Sequence, residues 1–420
     1  MSPRQVPVLK STGEEHEIRP AASKRMTKNL IILTELERKD FKTVQNKEMF
    51  AGLRVLELAS VLAGPSVGQF FAELGAEVIK VENPDGGDVT RSWKSAGEIS
   101  DDRSAYFSCC NWGKKSVTLN LVAESDRAKL LRLAATADIV IASYKPGDAE
   151  KLGVDYASLC KVNTNIIYGQ ITGYGSGDER VGYDAVIQAE SGLMDINGEK
   201  DGPPIKLPVA FVDLFAAHQL KEGLLLAIIR RDRTGTGGLV EVSLLDAAIA
   251  SLANQGTNWL VAGKNPRRQG SSHPNIAPYG DIFMTADGKW IMLAVGNDRQ
   301  FRDLVSVLGV QKDSPLYSEL FLTNEKRVAN RNKLVASLQP LISGRESPGL
   351  LKELAARKVP VGLIRQLSEA IESAETLVMR SGAAAGLRTL VAQSGFIGKP
   401  QLTPPPHLGE HNEEILSGLK

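Results

Sequence analysis

Residues 52–82 read GLRVLELASVLAGPSVGQFFAELGAEVIKVE, and this stretch decides the fold. The run 53–58, LRVLEL, is dominated by β-compatible apolar residues and reads as a strand. A turn of small residues, 59–66, follows. A helical stretch over 67–74 then stops at Gly75, a residue suited to the end of a helix. Residues 76–82, AEVIKVE, read as a second strand. Strand, turn, helix, glycine, strand is a βαβ unit, and it predicts parallel strands joined by a right-handed crossover.

The pattern continues outward from that unit. Strands are expected at 116–121, 139–141, 166–171 and 239–243, with helices at 125–136, 214–231 and 244–252. The strand at 166–171 opens into a glycine-rich turn, 173–177. This alternation predicts an α/β protein built on a doubly wound parallel sheet. Beyond Gly256 the texture changes. Residues 264–278 are rich in Pro, Gly, Ser, Asn and Arg, as in a long loop. Two short strands, 281–285 and 290–295, flank Ala286-Asp287-Gly288 as a hairpin, and helices run on to about residue 374. The expected organisation is an extension at 1–48, a large α/β domain at 49–255, a linker with a smaller α+β domain at 256–375, and a return to the large domain at 376–420. The last segment, with Pro404-Pro405-Pro406, should be extended and end in one short helix.

Composition excludes several classes of function. The 420 residues carry 50 Lys+Arg against 49 Asp+Glu, so no whole-protein field draws the chain to nucleic acid or to a membrane surface. No run of about 18 apolar residues is present, so no transmembrane helix is expected. Cys109, Cys110 and Cys160 lack CxxC spacing, which gives neither a disulfide framework nor a zinc site and suits a reducing compartment. The first 48 residues mix charge clusters (Glu14, Glu15, Glu17; Lys24, Arg25) with prolines and read as a disordered extension or a misassigned start. The expected location is the cytoplasm, or an organelle matrix if that segment is a transit peptide.

Standard catalytic signatures are missing: there is no P-loop, no GxSxG elbow and no HExxH. His407 and His411 have helical metal-ligand spacing, but they follow three prolines and flank Gly409, so no metal is expected there. Attention falls instead on carboxylates in apolar surroundings. Asp213 is the sole polar residue in residues 208–215, PVAFVDLF. A buried unpaired carboxylate is costly and needs a partner or a chemical task. Asp213 therefore reads as the N-cap of a helix beginning at Leu214, as a catalyst, or as both. Asp184, directly after the glycine-rich turn, reads as the cap of a helix from Ala185 to Ser191. Two acids at successive helix N-termini point to one cleft at the carboxyl ends of the strands.

Here the sequence resembles the class III CoA-transferases, a superfamily that also holds the α-methylacyl-CoA racemases. The resemblance rests on the opening segment 52–58, Ala63-Gly64-Pro65, LGAEVIKVENP at 74–84, Gly87-Asp88, Asn111 with Lys114 and Ser116, Gly182-Tyr183-Asp184, residues 188–194, HPNIAPY at 273–279 and LGEH at 408–411. It implies that Asp213, which stands 29 positions beyond Asp184, is the covalent nucleophile. It further implies a coenzyme A thioester as substrate with no permanently bound cofactor, a small carboxylic acid as acceptor, and an interlaced homodimer. By the same resemblance, Val61, Leu62, Ala63, Asn83, Leu119, Ser143, Tyr144, Lys151, Tyr183 and Asp184 contact coenzyme A. Backbone amides of 270–273 are candidate oxyanion donors, and Trp259 with Arg267 and Arg268 are candidates to meet an acceptor's distal charge. Two alternatives stay open, a racemase and a non-catalytic CoA-binding protein. Against the racemase stands the missing histidine, since no histidine lies between His16 and His218.

Overall fold

A computed structural model of the chain describes residues 48–392, 397 and 401–419; the expectations for residues 1–47 lie outside them. Six parallel strands form the main sheet: β1 (Arg54–Leu58), β2 (Glu77–Glu82), β3 (Lys114–Thr118), β4 (Ile139–Ala142), β5 (Ile167–Thr172) and β6 (Gly238–Ser243). Their spatial order is β3-β2-β1-β4-β5-β6. The winding direction reverses between β1 and β4, so the connections leaving their carboxyl ends diverge and open a crevice. The inner strands are apolar on both faces because helices cover both. Val55, Ile139 and Ile167 pack with Val67, Phe71, Leu220 and Leu224 on one side. Leu56, Val140 and Ile166 pack with Leu130 and Leu133 on the other.

The first helix, Ala63–Ala72, starts four residues before its expected position at Val67. Pro65 falls inside this helix, where a proline in the first turn removes no hydrogen bond. The small residues expected to form a turn instead include the start of the helix and its close contact with the end of β1. A Cβ on Gly64 would lie 2.2 Å from the Ala59 Cβ, and one on Gly68 would lie 1.8 Å from Glu57 Oε2.

A second unit has its own sheet, β7 (Tyr279–Met284), β8 (Trp290–Ala294) and β9 (Val361–Leu363), with antiparallel pairing in that order. The expected hairpin is β7–β8. Helices Asp298–Val307, Arg331–Ser343 and Ser347–Ala356 close a separate core around Phe283, Leu293, Leu304, Leu338 and Leu350.

A short hairpin, β10 (Val378–Ser381) and β11 (Ala384–Leu387), leads the chain back. The carboxylate of Glu73 then accepts hydrogen bonds from the amides of Thr389 (2.7 Å) and Leu390 (3.1 Å). His411 N donates to Ser116 O at 2.9 Å, seating the terminal helix Asn412–Leu416 beside β3. Among the described residues no helix is long and apolar enough to cross a membrane.

Candidate active site

The helix carrying Asp213 runs from Phe211 to Thr234, so it begins three residues before the expected start. Asp213 thus lies in its first turn and is not its cap; Ala210 holds that position and has no side chain to offer. The leading amides still need acceptors, and Asp184 supplies them. Its Oδ1 accepts from Val212 N at 2.8 Å and from Asp213 N at 3.4 Å. Asp184 does not cap its own helix either: that helix is Asp184–Glu190, with Tyr183 at the cap position. Gln188 Nε2 donates to Asp184 Oδ2 at 2.6 Å, and Gln188 Oε1 accepts from Leu207 N at 2.8 Å, which fixes the carboxylate from behind.

The chain reaches this arrangement through two glycines. A Cβ on Gly182 would lie 2.4 Å from the Gly173 Cα, and one on Gly173 would lie 2.7 Å from the Gly182 Cα. Backbone therefore crosses backbone at the end of β5, and the crossing returns Tyr183 and Asp184 toward the crevice.

Asp213 is 8% exposed, and among the described residues nothing donates a hydrogen bond to its carboxylate. Burial first, and the charge of Asp184 second, push its pKa up to about 7. Proximity to a helix N-terminus does not keep this acid at an ordinary value. The result is a carboxylate poised between protonation states near neutrality.

Asp213 and Asp184 line one cleft of about 260 Å³ at the switch point of the sheet. Of the residues expected at coenzyme A, the cleft also gathers Val61, Ala63, Ser143, Tyr144 and Tyr183. Burial pushes the Tyr144 phenol up to about 12. The other four lie elsewhere. Leu62 is buried at the start of the first helix, and Leu119 is buried in the core beyond β3. Exposed Asn83 uses its Oδ1 to accept from Asp85 N at 3.0 Å and shapes its own turn. Lys151 is exposed and paired with Asp148 at 2.9 Å.

Some lining residues escaped the sequence reading. Lys145 and Arg180 are cations at the rim. The Arg180 guanidinium lies 3.7 Å over the Tyr174 ring and pairs with Asp178 (2.9 Å) and Glu190 (3.1 Å). Tyr106 packs edge-on against Trp93 at 5.2 Å, and burial together with the Asp213 charge raises its phenol pKa. Nothing local in the sequence ties this segment to an acid more than a hundred positions away. Within one chain, Gly270, Ser271 and Ser272 line a different cavity, beside Arg331. Arg267 lines another, while Arg268 bonds Asp195 O and Gly202 O. The proposed oxyanion donors and acceptor-facing arginines are therefore not brought to Asp213 by their own chain. Among the described residues no histidine lines the Asp213 cleft, so none of them stands beside the acids as the second acid–base group of a racemase.

Beneath the cleft lies a charged network that the family motifs contain but whose role spacing alone does not reveal. Lys80 Nζ contacts Glu57 Oε1 (2.9 Å), Asp88 Oδ2 (2.9 Å) and Ala59 O (2.8 Å). Lys114 Nζ contacts Glu57 Oε2 (2.7 Å), Pro65 O (2.8 Å) and Asn111 Oδ1 (2.9 Å). Glu82 binds Arg91 through both oxygens, at 2.8 and 2.7 Å, and accepts from Ser116 Oγ at 2.6 Å. All of these charged side chains are buried. In a sheet covered on both faces a mid-strand charge has nowhere else to go, so each is paired. Above them, Val61 holds φ at +71°, a left-handed conformation that costs a β-branched residue about 1–3 kcal/mol.

Sheet order and switch-point cleft define a doubly wound α/β protein, and the chain belongs to CoA-transferase family III, whose model matches residues 50–412. It is an enzyme of that class. Its sequence is 38% identical over 395 residues to a succinate–glutarate CoA-transferase of Agrobacterium fabrum, covering 89% of this chain and 96% of that one. It is 34% identical over 377 residues to an acetyl-CoA:oxalate CoA-transferase of Acetobacter aceti, covering 88% and 95%. A crystal structure of a CaiB/BaiF family protein from Brucella suis matches with a TM-score of 0.78 at 40% identity, covering 89% of this chain and all of the other.

Proposed function

We propose that this protein moves coenzyme A from an acyl-CoA donor to a small dicarboxylic acid, with Asp213 as the covalent nucleophile. The observation that carries this reading is a buried carboxylate with no hydrogen-bond donor among the described residues, set at the first turn of a helix that opens on the switch-point cleft. The names of the relatives, which act on succinate, glutarate and oxalate, support the dicarboxylate class.

An Asp213 oxygen attacks the donor thioester carbon, and the C–S bond breaks to release CoA thiolate and leave an acyl-aspartyl anhydride. The thiolate attacks the Asp213 carbonyl carbon; the donor acid departs and an aspartyl-CoA thioester remains. The acceptor carboxylate displaces the thiolate to form a second anhydride. The thiolate then takes the acceptor acyl group, and the Asp213 carboxylate is restored. Two near-isoenergetic exchanges replace one difficult direct transfer.

In this reading Val61, Ala63, Ser143, Tyr144 and Tyr183 face the coenzyme, while Leu62, Asn83, Leu119 and Lys151 would reach it only after rearrangement. Two chains interlace, and the second supplies groups such as the 270–273 loop. The helix Ala253–Ala262, none of whose residues is buried, supports this assembly. The working compartment is the cytoplasm or an organelle matrix.

The test is a matrix of acyl-CoA donors against mono- and dicarboxylic acids, read by mass spectrometry of the CoA products. New thioesters of short dicarboxylic acids are expected. Hydrolysis alone, or products from monocarboxylic acids only, would refute the assignment.

A further inference from the structure

The turn that leaves β1 combines two features that function has not yet used. Val61 stands in the left-handed region at φ +71°, although it is β-branched, and it lines the Asp213 cleft. Directly behind it, both carboxylate oxygens of Asp88 lie 3.3 Å from the Val61 amide nitrogen. A residue in a costly conformation persists only when its surroundings over-determine it. Here they do. Asp88 Oδ1 also accepts from Thr90 N (3.0 Å) and Thr90 Oγ1 (2.8 Å), while Oδ2 receives Lys80 Nζ at 2.9 Å. The Asp88 amide is itself anchored on Glu82 Oε2 at 2.9 Å. Lys80 is tied in turn to Glu57 and to the carbonyl of Ala59, two residues before Val61. On the opposite side, Cys110 Sγ approaches the Val61 carbonyl at 3.6 Å.

Each end of the turn is therefore held by a buried group from another segment. The Lys80 and Asp88 side chains are each 1% exposed, so neither reaches the cleft directly. Whatever they contribute to a ligand passes through the backbone of residues 59–61.

We propose that Asp88, braced by Lys80, is a positioning residue that locks Val61 in its left-handed conformation and thereby presets the turn on which the coenzyme A thioester docks. The proposal rests on the CoA-transfer reading of the cleft. The two hold different parts of the job: Asp213 performs the chemistry, and the Asp88–Lys80 pair sets the shape of the opposite wall.

Glycine adopts positive φ without strain, so replacing Val61 by glycine removes the need for a lock. That makes a double-mutant cycle the direct test. Removing the Asp88 charge alone would leave Lys80 under-compensated in the interior, so the lesion is Asp88→Asn combined with Lys80→Met, which deletes both charges together. The side-chain oxygen that Thr90 holds can still accept from the Val61 N–H, but the amide NH2 in the place of Oδ2 now faces that N–H, so one of its two acceptors becomes a donor. Affinity for coenzyme A is measured by titration calorimetry on full-length protein whose fold is checked by circular dichroism.

In the Val61 background the paired lesion weakens binding about tenfold, whereas in a Val61→Gly background it weakens binding less than about threefold. The turnover number at saturating acyl-CoA stays within about twofold of its value in the matching background, separating positioning from chemistry. Equal losses in both backgrounds, or no loss in either, would overturn the lock. A native chain that fails to bind coenzyme A at all would instead overturn the transferase reading, and the lock with it.

Discussion

Asp213 and Asp184 are both acids at the start of helices, yet they do different work. Asp184 accepts from three donors and caps the helix on which Asp213 sits, whereas no described residue donates to the Asp213 carboxylate. Because the reactive species is the ionised carboxylate, kcat/KM for acyl-CoA should rise with pH and level off above about 7. Asp184→Asn keeps a side-chain oxygen for capping but removes the neighbouring charge that helps raise the Asp213 pKa. The acid limb of the pH–rate profile should then move to lower pH; a limb that stays or moves upward contradicts this electrostatic assignment. Stability gives an independent check. The folded pKa of Asp213 lies above its ordinary value of 3.8, so the folded chain holds this proton more tightly than the unfolded chain. Its contribution to stability is therefore present at low pH and lost as pH rises through about 7. Asp213→Asn should abolish transfer and yet raise stability at pH 8 by on the order of 2–4 kcal/mol, measured by urea unfolding. A less stable variant would mean that the acid is better accommodated than its burial implies.

At the scale of elements, close approach decides where the site falls. The Ala63–Ala72 helix can lie on β1 only because Gly64 and Gly68 lack side chains. Gly68→Ala places a methyl against Glu57, the acid shared by Lys80 and Lys114, and should cost about 2–3 kcal/mol. A variant within about 0.5 kcal/mol of the parent would show that this contact yields more easily than its geometry indicates. The βαβ order of 52–82 was legible from apolar runs and punctuation, as were the β7–β8 hairpin and the Asp213 segment. Helix starts were not, since Pro65 and the stretch 59–66 look like a turn until strand packing shows that small residues are required there. The buried charges Glu57, Lys80 and Lys114 were visible as residues, but their pairing joins strands up to 57 positions apart. Tyr106 was illegible for a related reason: only tertiary folding brings it within reach of the Asp213 charge. Leu119, expected at the coenzyme by resemblance, lies buried in the core.

On the scale of the whole molecule, one helix stands open to solvent on its apolar side. Trp259, Leu260 and Val261 on the Ala253–Ala262 helix are 47%, 74% and 83% exposed. Contiguous apolar exposure of this kind marks an interface, and the interlaced dimer would cover it. Light scattering coupled to size exclusion should give a dimer for the native chain and loss of that species for Leu260→Glu with Val261→Lys; a native monomer would refute the assembly. The most direct measurement is to incubate the protein with succinyl-CoA, add hydroxylamine and map the peptides by mass spectrometry. A hydroxamate on Asp213, absent without donor and absent in Asp213→Ala, is the predicted result; an unmodified Asp213 in protein that is turning over, or full transfer activity in Asp213→Ala, would contradict it.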